Sequence, residues 1–196
     1  MQDRLTHLAD IDAAIWRELS RATHDRHHEW RTVVLATVAQ RHGEAVADAR
    51  NVVLREVAAH ARQLVIYTDA RAAKAQQLRT HPQASIVMWS RRLGWQLRCQ
   101  VRLTIDTAGA AVDSRWSQVR QTAAAHDYLS PQAPGRSLPA ASTTAPAAAP
   151  ATSPITSAHH FAVVTAQVDA IDWLELHREG HRRAQFSSAA AQWLQP

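Results

Sequence analysis

Residues 94–106 read GWQLRCQVRLTID, and this stretch decides the fold. Trp95, Leu97, Cys99, Val101, Leu103 and Ile105 alternate with Gln96, Arg98, Gln100, Arg102 and Thr104. A period of two puts the first set on one face and the second on the other, which is a strand with one side on a core. Immediately before it, ASIVMWS (84–90) reads as a partner strand, joined through the basic turn Arg91-Arg92-Leu93-Gly94. RTVVLATVA (31–39) is β-branched and short, and RHGEAVADA supplies a turn with glycine and a second extended piece. RNVVLREVAA (50–59), RQLVIYTD (62–69) and FAVVTAQVDAIDWLEL (161–176) add further strands. About six strands, mostly sequential, with few helices between them, predict a mainly β protein: an antiparallel barrel with flanking helices.

Three segments carry the helical period. In residues 8–24, Leu8, Ile11, Ile15 and Leu19 fall on one face. AAKAQQLRTHP (72–82) predicts about two turns stopped by Pro82, and residues 111–128 read as helical. From Ala133 to Ser157, 22 of 25 residues are Ala, Pro, Ser, Thr or Gly. Such a composition buries too little apolar area to offset its ordering entropy. Residues 133–157 are therefore expected to form a mobile insertion within one domain spanning 1–196. The end, REGHRRAQFSSAAAQWLQP, reads as polar and basic.

The 46% hydrophobic content suffices for a core, and a charged fraction of 20% excludes a disordered polyion. A net charge of +5 and a pI near 10.5 favour an anionic ligand. The cations are dispersed among acids rather than striped, which argues against nucleic acid. One cysteine, Cys99, permits no internal disulfide, and no stretch approaches the length of an apolar membrane span. With no signal-peptide core at the N-terminus, a cytoplasmic location is expected.

Twelve histidines raise the question of a metal, but no HExxH or Cys-x-x-Cys framework is present. His24, His27, His28 and the pair His159-His160 are read as surface or linker residues, and no metal is expected. Cys99 lies on the apolar face of its strand and reads as a structural thiol. With five glycines there is no GxGxxG or Walker loop, and GxSxG is absent too. YTDARAAK (67–74) is left: a strand end, hydroxyls and two cations, Arg71 and Lys74, before a helix. That is either a solvated first turn or an anion site, since helix-start N–H groups attract phosphate and nearby cations clamp it.

The order RNVVLR, IYTD, an Ala-Lys pair, a helix ending in His-Pro, then MW and WQLR resembles the pyridoxamine 5′-phosphate oxidase-like family, the FMN-binding split β-barrels. DWLEL followed by GHRRAQF is similar to the C-terminal tryptophan and basic signature of that family. The resemblance covers about residues 31–132 and 161–196. It implies FMN as cofactor, held in the groove of a homodimer, and a small-molecule substrate. Flavin-phosphate contacts would fall on Arg50, Arg55 and Lys74, with Asn51, Val52, Val53 and Leu54 between the arginines also contacting the cofactor. Tyr67 and Thr68 would face the flavin, Gln96 would hydrogen-bond to it, and Arg71 would join the phosphate clamp. Gln132 would reach the flavin from the neighbouring subunit, and Trp173 and Arg183 would complete the site. Substrate contacts would involve Arg55, Trp116, Arg120 and His181.

The chain departs from the family pattern in two places. A Ser-Arg-Lys triplet reads Ala72-Ala73-Lys74, and the arginine that grips a substrate phosphate is replaced by Glu179, two residues before His181. A phosphorylated vitamer would meet repulsion there. The resemblance therefore implies an FMN-dependent oxidoreductase of open substrate, with a non-catalytic FMN-binding or redox-sensing protein as the alternative.

Overall fold

The computed structural model describes residues 4–137 and 159–196. Its α1 helix (Leu8–His24) precedes β1 (Thr32–Arg41), β2 (Glu44–Ala58), β3 (Gln63–Asp69), α2 (Ala73–Thr80), β4 (Gln83–Ser90) and β5 (Trp95–Asp106). Then come α3 (Ala110–Val119), α4 (His126–Leu129), β6 (Phe161–Glu175), β7 (Arg182–Ser187) and β8 (Ala191–Leu194). Neighbouring strands run β3-β2-β1-β4-β5-β6-β7-β8, all antiparallel, and β3 also pairs with β6. Six strands thereby close a barrel, which leaves no free edge among them.

β6 explains why the barrel is split. One edge faces β5 along its length. Its other edge serves β3 from Phe161 to Gln167 and then β7 from Ala170 to Glu175. The change of partner coincides with a bulge opposite Gln100/Val101, where Asp169 has no register partner on β5. Bulges bend a strand and sharpen its twist, as such a handover requires.

The alternation in 95–105 behaves as its spacing predicts: Trp95, Leu97, Cys99, Val101 and Leu103 are buried in the barrel core. Cys99 has no exposed surface, and burial pushes its thiol up to about 12. Ile11, Ile15 and Leu19 of α1 join the same core. A second apolar cluster lies on the outer side of β3 and β6, where Val65 and Val163 pack against Val112 and Trp116 of α3 and Tyr128 of α4. At the β4–β5 turn, Gly94 adopts φ +67°, and a Cβ there would stand 2.7 Å from the Leu176 carbonyl oxygen, so only glycine fits.

Three expectations need correction. The two extended pieces over 42–59 are one strand, because β2 runs unbroken from Glu44 to Ala58. The helix expected over 111–128 breaks after Val119, where the Thr122 hydroxyl takes the Val119 carbonyl at 2.8 Å and its backbone turns extended. The polar, basic C-terminus, for which no element was expected, forms β7 and β8. His28 is buried: its Nε2 faces the Glu18 carboxylate at 3.1 Å, and its Nδ1 accepts the Trp30 backbone N–H at 3.1 Å. It ties α1 to the tight turn that leads into β1. Of the expected insertion at 133–157, only residues 133–137 lie within the described residues.

Candidate functional site

Of the sequence-predicted cations, Arg50 and Lys74 come together, where α2 packs against β1. Arg50 has its guanidinium on the core side of β2, under α2. Its Nη1 donates to the Thr37 hydroxyl at 2.5 Å and the Leu35 carbonyl at 3.2 Å, and its Nη2 to the Gln77 side-chain oxygen at 3.1 Å. Asp48 pairs with the same guanidinium at 2.6 Å. Gln77 completes the network by donating to Asp48 at 2.7 Å, which helps hold that carboxyl below its ordinary range.

Lys74 stands in the first turn of α2, half-buried. Burial first, then the charge of Arg50, pushes its ammonium below the ordinary lysine value of 10.5, and Asp69 only partly offsets this. Among the described residues it has neither a hydrogen bond nor an ion pair. α2 starts at Ala73 with no side chain capping its N-terminal N–H groups. A desolvated cation without a partner, beside an arginine and an uncapped helix start, fits a phosphate group. The observed donor set is therefore compatible with FMN.

Arg55 is the extra residue of a β-bulge: Leu54 pairs with Ile66 and Glu56 with Val65, leaving Arg55 unmatched. The bulge turns its guanidinium over the Tyr67 ring, 5.6 Å from the centroid. The Tyr67 hydroxyl donates to Glu56 at 2.6 Å, and Arg115 of α3 holds the same carboxylate through two bonds of 2.7 Å. Burial and then the Glu56 bond push Tyr67 well above an ordinary phenol. Thr68 points to the core side and is 4% exposed. Between Arg50 and Arg55, Val52 and Leu54 are buried, Val53 is half-buried and Asn51 is exposed.

The remaining expected contacts sit elsewhere. Gln96 is on the outer face of β5, between Trp89 and Leu174 in register, three strand positions around the wall from Arg50. Arg183 holds Asp172 through bonds of 3.0 and 2.7 Å, and Arg98 grips the same carboxylate. Trp173 faces the core with no exposed surface, in an edge-on contact with Trp95 at 5.5 Å and under the Arg182 guanidinium. Gln132 is exposed, and Arg71 donates to its backbone carbonyl. Of the expected substrate contacts, Trp116 packs in the second cluster against Tyr128 and Phe161. Arg120 is exposed at the end of α3. His181 lies in the β6–β7 turn, accepting the His177 N–H at 3.2 Å.

Arg71 is engaged within the chain. Nε and Nη2 bond both oxygens of Asp69, at 3.0 and 2.7 Å, and the outer edge of the guanidinium reaches three backbone carbonyls. Like Arg50, Arg71 already has its guanidinium engaged within the chain; Arg50 and Lys74 are the expected cations that lie together, and Arg55 stands five residues further along β2. Sequence reading missed Asp48, Gln77 and Thr37. The spacing Asp48-x-Arg50 was visible, but nothing local shows that α2 delivers Gln77 to both.

No helix among the described residues is long and apolar enough to cross a membrane. No curated protein matches the chain. Among solved structures, the fold is shared with a pyridoxamine 5′-phosphate oxidase-related, FMN binding protein from Nostoc punctiforme PCC 73102. The TM-score is 0.71 at 22% identity, covering 99% of this chain and 100% of that one. PhzG from Burkholderia lata 383, solved with tetrahydrophenazine-1-carboxylic acid, gives a TM-score of 0.71 at 17% identity, covering 99% and 98%. A Clostridium acetobutylicum protein related to general stress protein 26 gives 0.56 at 9% identity, covering 94% and 98%. Residues 13–107 match the model of the pyridoxamine 5′-phosphate oxidase FMN-binding domain. Over residues 13–107, from α1 to β5, the chain is thus similar to that FMN-binding domain, and its fold is the one shared with these solved structures.

Proposed function

We propose that this protein is an FMN-dependent oxidoreductase that works as a homodimer in the cytoplasm. The observation that carries this reading is the pairing of Arg50 with an unpartnered, half-buried Lys74 at the uncapped start of α2. A terminal phosphate carries nearly two charges and needs several charge-assisted donors in one place. Arg50 and Lys74 bind it, Thr68 and the β2 backbone from Asn51 to Leu54 line the flavin, and Tyr67 fixes Arg55 by stacking. When bound, FMN would supply the two-electron chemistry, with its N5 as the acceptor for hydride from a small substrate.

The positions of the other expected contacts support the dimer. Gln96 and Arg183 are on the outer face of the sheet, whereas Arg50 is on the inner side. About 14 Å of wall separates β5 from β2 at three strand spacings. One flavin touching both sets takes them from two copies, with Gln132 reaching across. The outer face supports this: Trp89 is 45% exposed and Val34 37%. These lie in a field that includes Val87, Ala36 and Val53. A second copy would cover such a surface.

One observation favours the alternative, a non-catalytic FMN-binding or redox-sensing protein. Within one chain Arg120 is exposed at the end of α3 and His181 lies in the β6–β7 turn, so neither joins Arg55 at the Tyr67 ring. Flavin titration of the purified protein tests the cofactor reading. Quenching of flavin fluorescence at one FMN per chain supports it, and failure of phosphate-free protein to take up FMN refutes it. Reduction of the bound flavin by NAD(P)H at catalytic rates separates the oxidoreductase from the passive binder.

A further inference from the structure

We propose that Arg71 is a positioning residue for the segment 130–132, anchored by Asp69, and not a ligand of the cofactor phosphate; this rests on the FMN reading above. Asp69 ends β3 and is 5% exposed. One of its oxygens accepts the Arg71 backbone N–H at 2.7 Å and the Nε–H at 3.0 Å, and the other accepts Nη2 at 2.7 Å. The anchor is therefore fixed on two sides before the outer edge of the guanidinium does anything. That edge donates to the carbonyls of Ser130 at 2.9 Å, Pro131 at 3.2 Å and Gln132 at 3.3 Å.

The three carbonyls are consecutive, so the contact fixes a path of chain rather than one atom. The Ser130 hydroxyl bonds the Gln132 carbonyl at 3.1 Å and tightens the same turn. Beside it, the Ala70 N–H bonds the His160 carbonyl at 2.7 Å and the His160 N–H bonds the Tyr128 carbonyl at 2.8 Å. Residues 128–132 are thus stitched to the strand end that opens into α2, five residues before Lys74. Only a planar fork can grip a carboxylate along one edge and carbonyls along the other; an ammonium has the charge but not the reach in two directions. An anion brought to Arg71 would also face the buried Asp69 carboxylate, which disfavours it. The consequence for the site is indirect: Arg71 sets where Gln132 stands, and hence what Gln132 can touch across a dimer.

The test compares Arg71→Ala and Arg71→Lys with the parent protein in binding of FMN and of riboflavin, which lacks the phosphate. It also follows the rate of proteinase K cleavage within 130–137, mapped by mass spectrometry. A positioning residue predicts that both flavins weaken by the same factor, roughly ten-fold for lost charge-assisted bonds. It predicts faster cleavage in both variants, and no further loss when Gln132→Ala is added to Arg71→Ala. Loss of FMN binding with riboflavin unchanged makes Arg71 a phosphate ligand and overturns the proposal, as does an unchanged cleavage rate. If Arg71→Ala does not fold, Arg71→Lys carries the comparison. If the parent protein takes up neither flavin, the cofactor reading fails, and the cleavage arm still decides the role of Arg71.

Discussion

The Asp48 carboxylate stands 2.6 Å from the Arg50 guanidinium, on the arginine best placed for a phosphate. In the ligand-free chain Asp48 is therefore a competitor: an arriving phosphate must share or displace it. Asp48→Asn keeps the Gln77 bond and removes the charge. Both partners are partly solvated, so the pair is worth no more than about 1 kcal/mol. FMN binding is expected to tighten by up to roughly five-fold on that scale, with riboflavin unchanged. Fluorescence titration checks it. Weaker FMN binding in the variant would mean that Asp48 holds Arg50 in place rather than competing for it.

Arg50→Ala and Lys74→Ala should each weaken FMN by about 1.5–3 kcal/mol, roughly ten- to a hundred-fold. Arg91→Ala, in the β4–β5 turn, should do nothing. Lys74 adds a pH signature. Its ammonium lies below 10.5 in the folded chain, so FMN affinity is full below that depressed value and falls as pH rises through it. The decline therefore begins earlier than an ordinary lysine would allow. Riboflavin binding should be flat over the same range, and Lys74→Arg should flatten the FMN curve. Equal effects at Arg91 and Lys74 would remove the phosphate assignment.

Glu175 governs acid stability at the other end of the barrel. Burial alone would raise its pKa, but hydrogen bonds from Arg4 and Trp95, together with the Arg182 charge, outweigh that and hold it below 4.5. The folded value is depressed, so its contribution is present above 4.5 and is lost as pH falls through the folded value. Glu175→Gln should cost about 1–3 kcal/mol near neutrality, discounted for the water that reaches its arginines, and should flatten the acid limb. Urea unfolding from pH 3 to 7 reads both effects.

Trp89 tests the dimer. Trp89→Asp puts a charge in the exposed apolar field and should shift sedimentation from two chains to one. Flavin affinity should fall with it, because Gln96 and Arg183 then come from no second copy. A monomeric parent protein, or a monomeric variant with full flavin affinity, would contradict the proposed groove.

The barrel was legible where burial is one-sided. The strand 95–106 and the stripe Ile11, Ile15, Leu19 announce their faces because every second or every third-to-fourth residue is apolar. β7 was hidden because only Ala184 and Phe186 face the core, while Arg182 and Arg183 are spent on Glu175 and Asp172. A strand whose arginines serve long-range partners looks like surface. The same holds for the site. Arg50 and Lys74 could be paired in advance from their order, but the use of Arg71 depends on backbone carbonyls 59–61 residues away. Carbonyls are identical in every residue, so no side-chain pattern reveals them.

The handover along β6 bears on how the chain folds. Pairing Asp69 with Phe161 closes a loop of roughly 90 residues, so the last seam of the barrel is a non-local and hence slow step. Closure entropy grows only as the logarithm of loop length. Excising the 21 residues of 138–158 would lower that cost by merely about 0.2 kcal/mol. The closed barrel is thus nearly indifferent to how much chain is spooled between α4 and β6. Adding or removing a few tens of residues within 138–158 would therefore change the closure cost by only tenths of a kcal/mol.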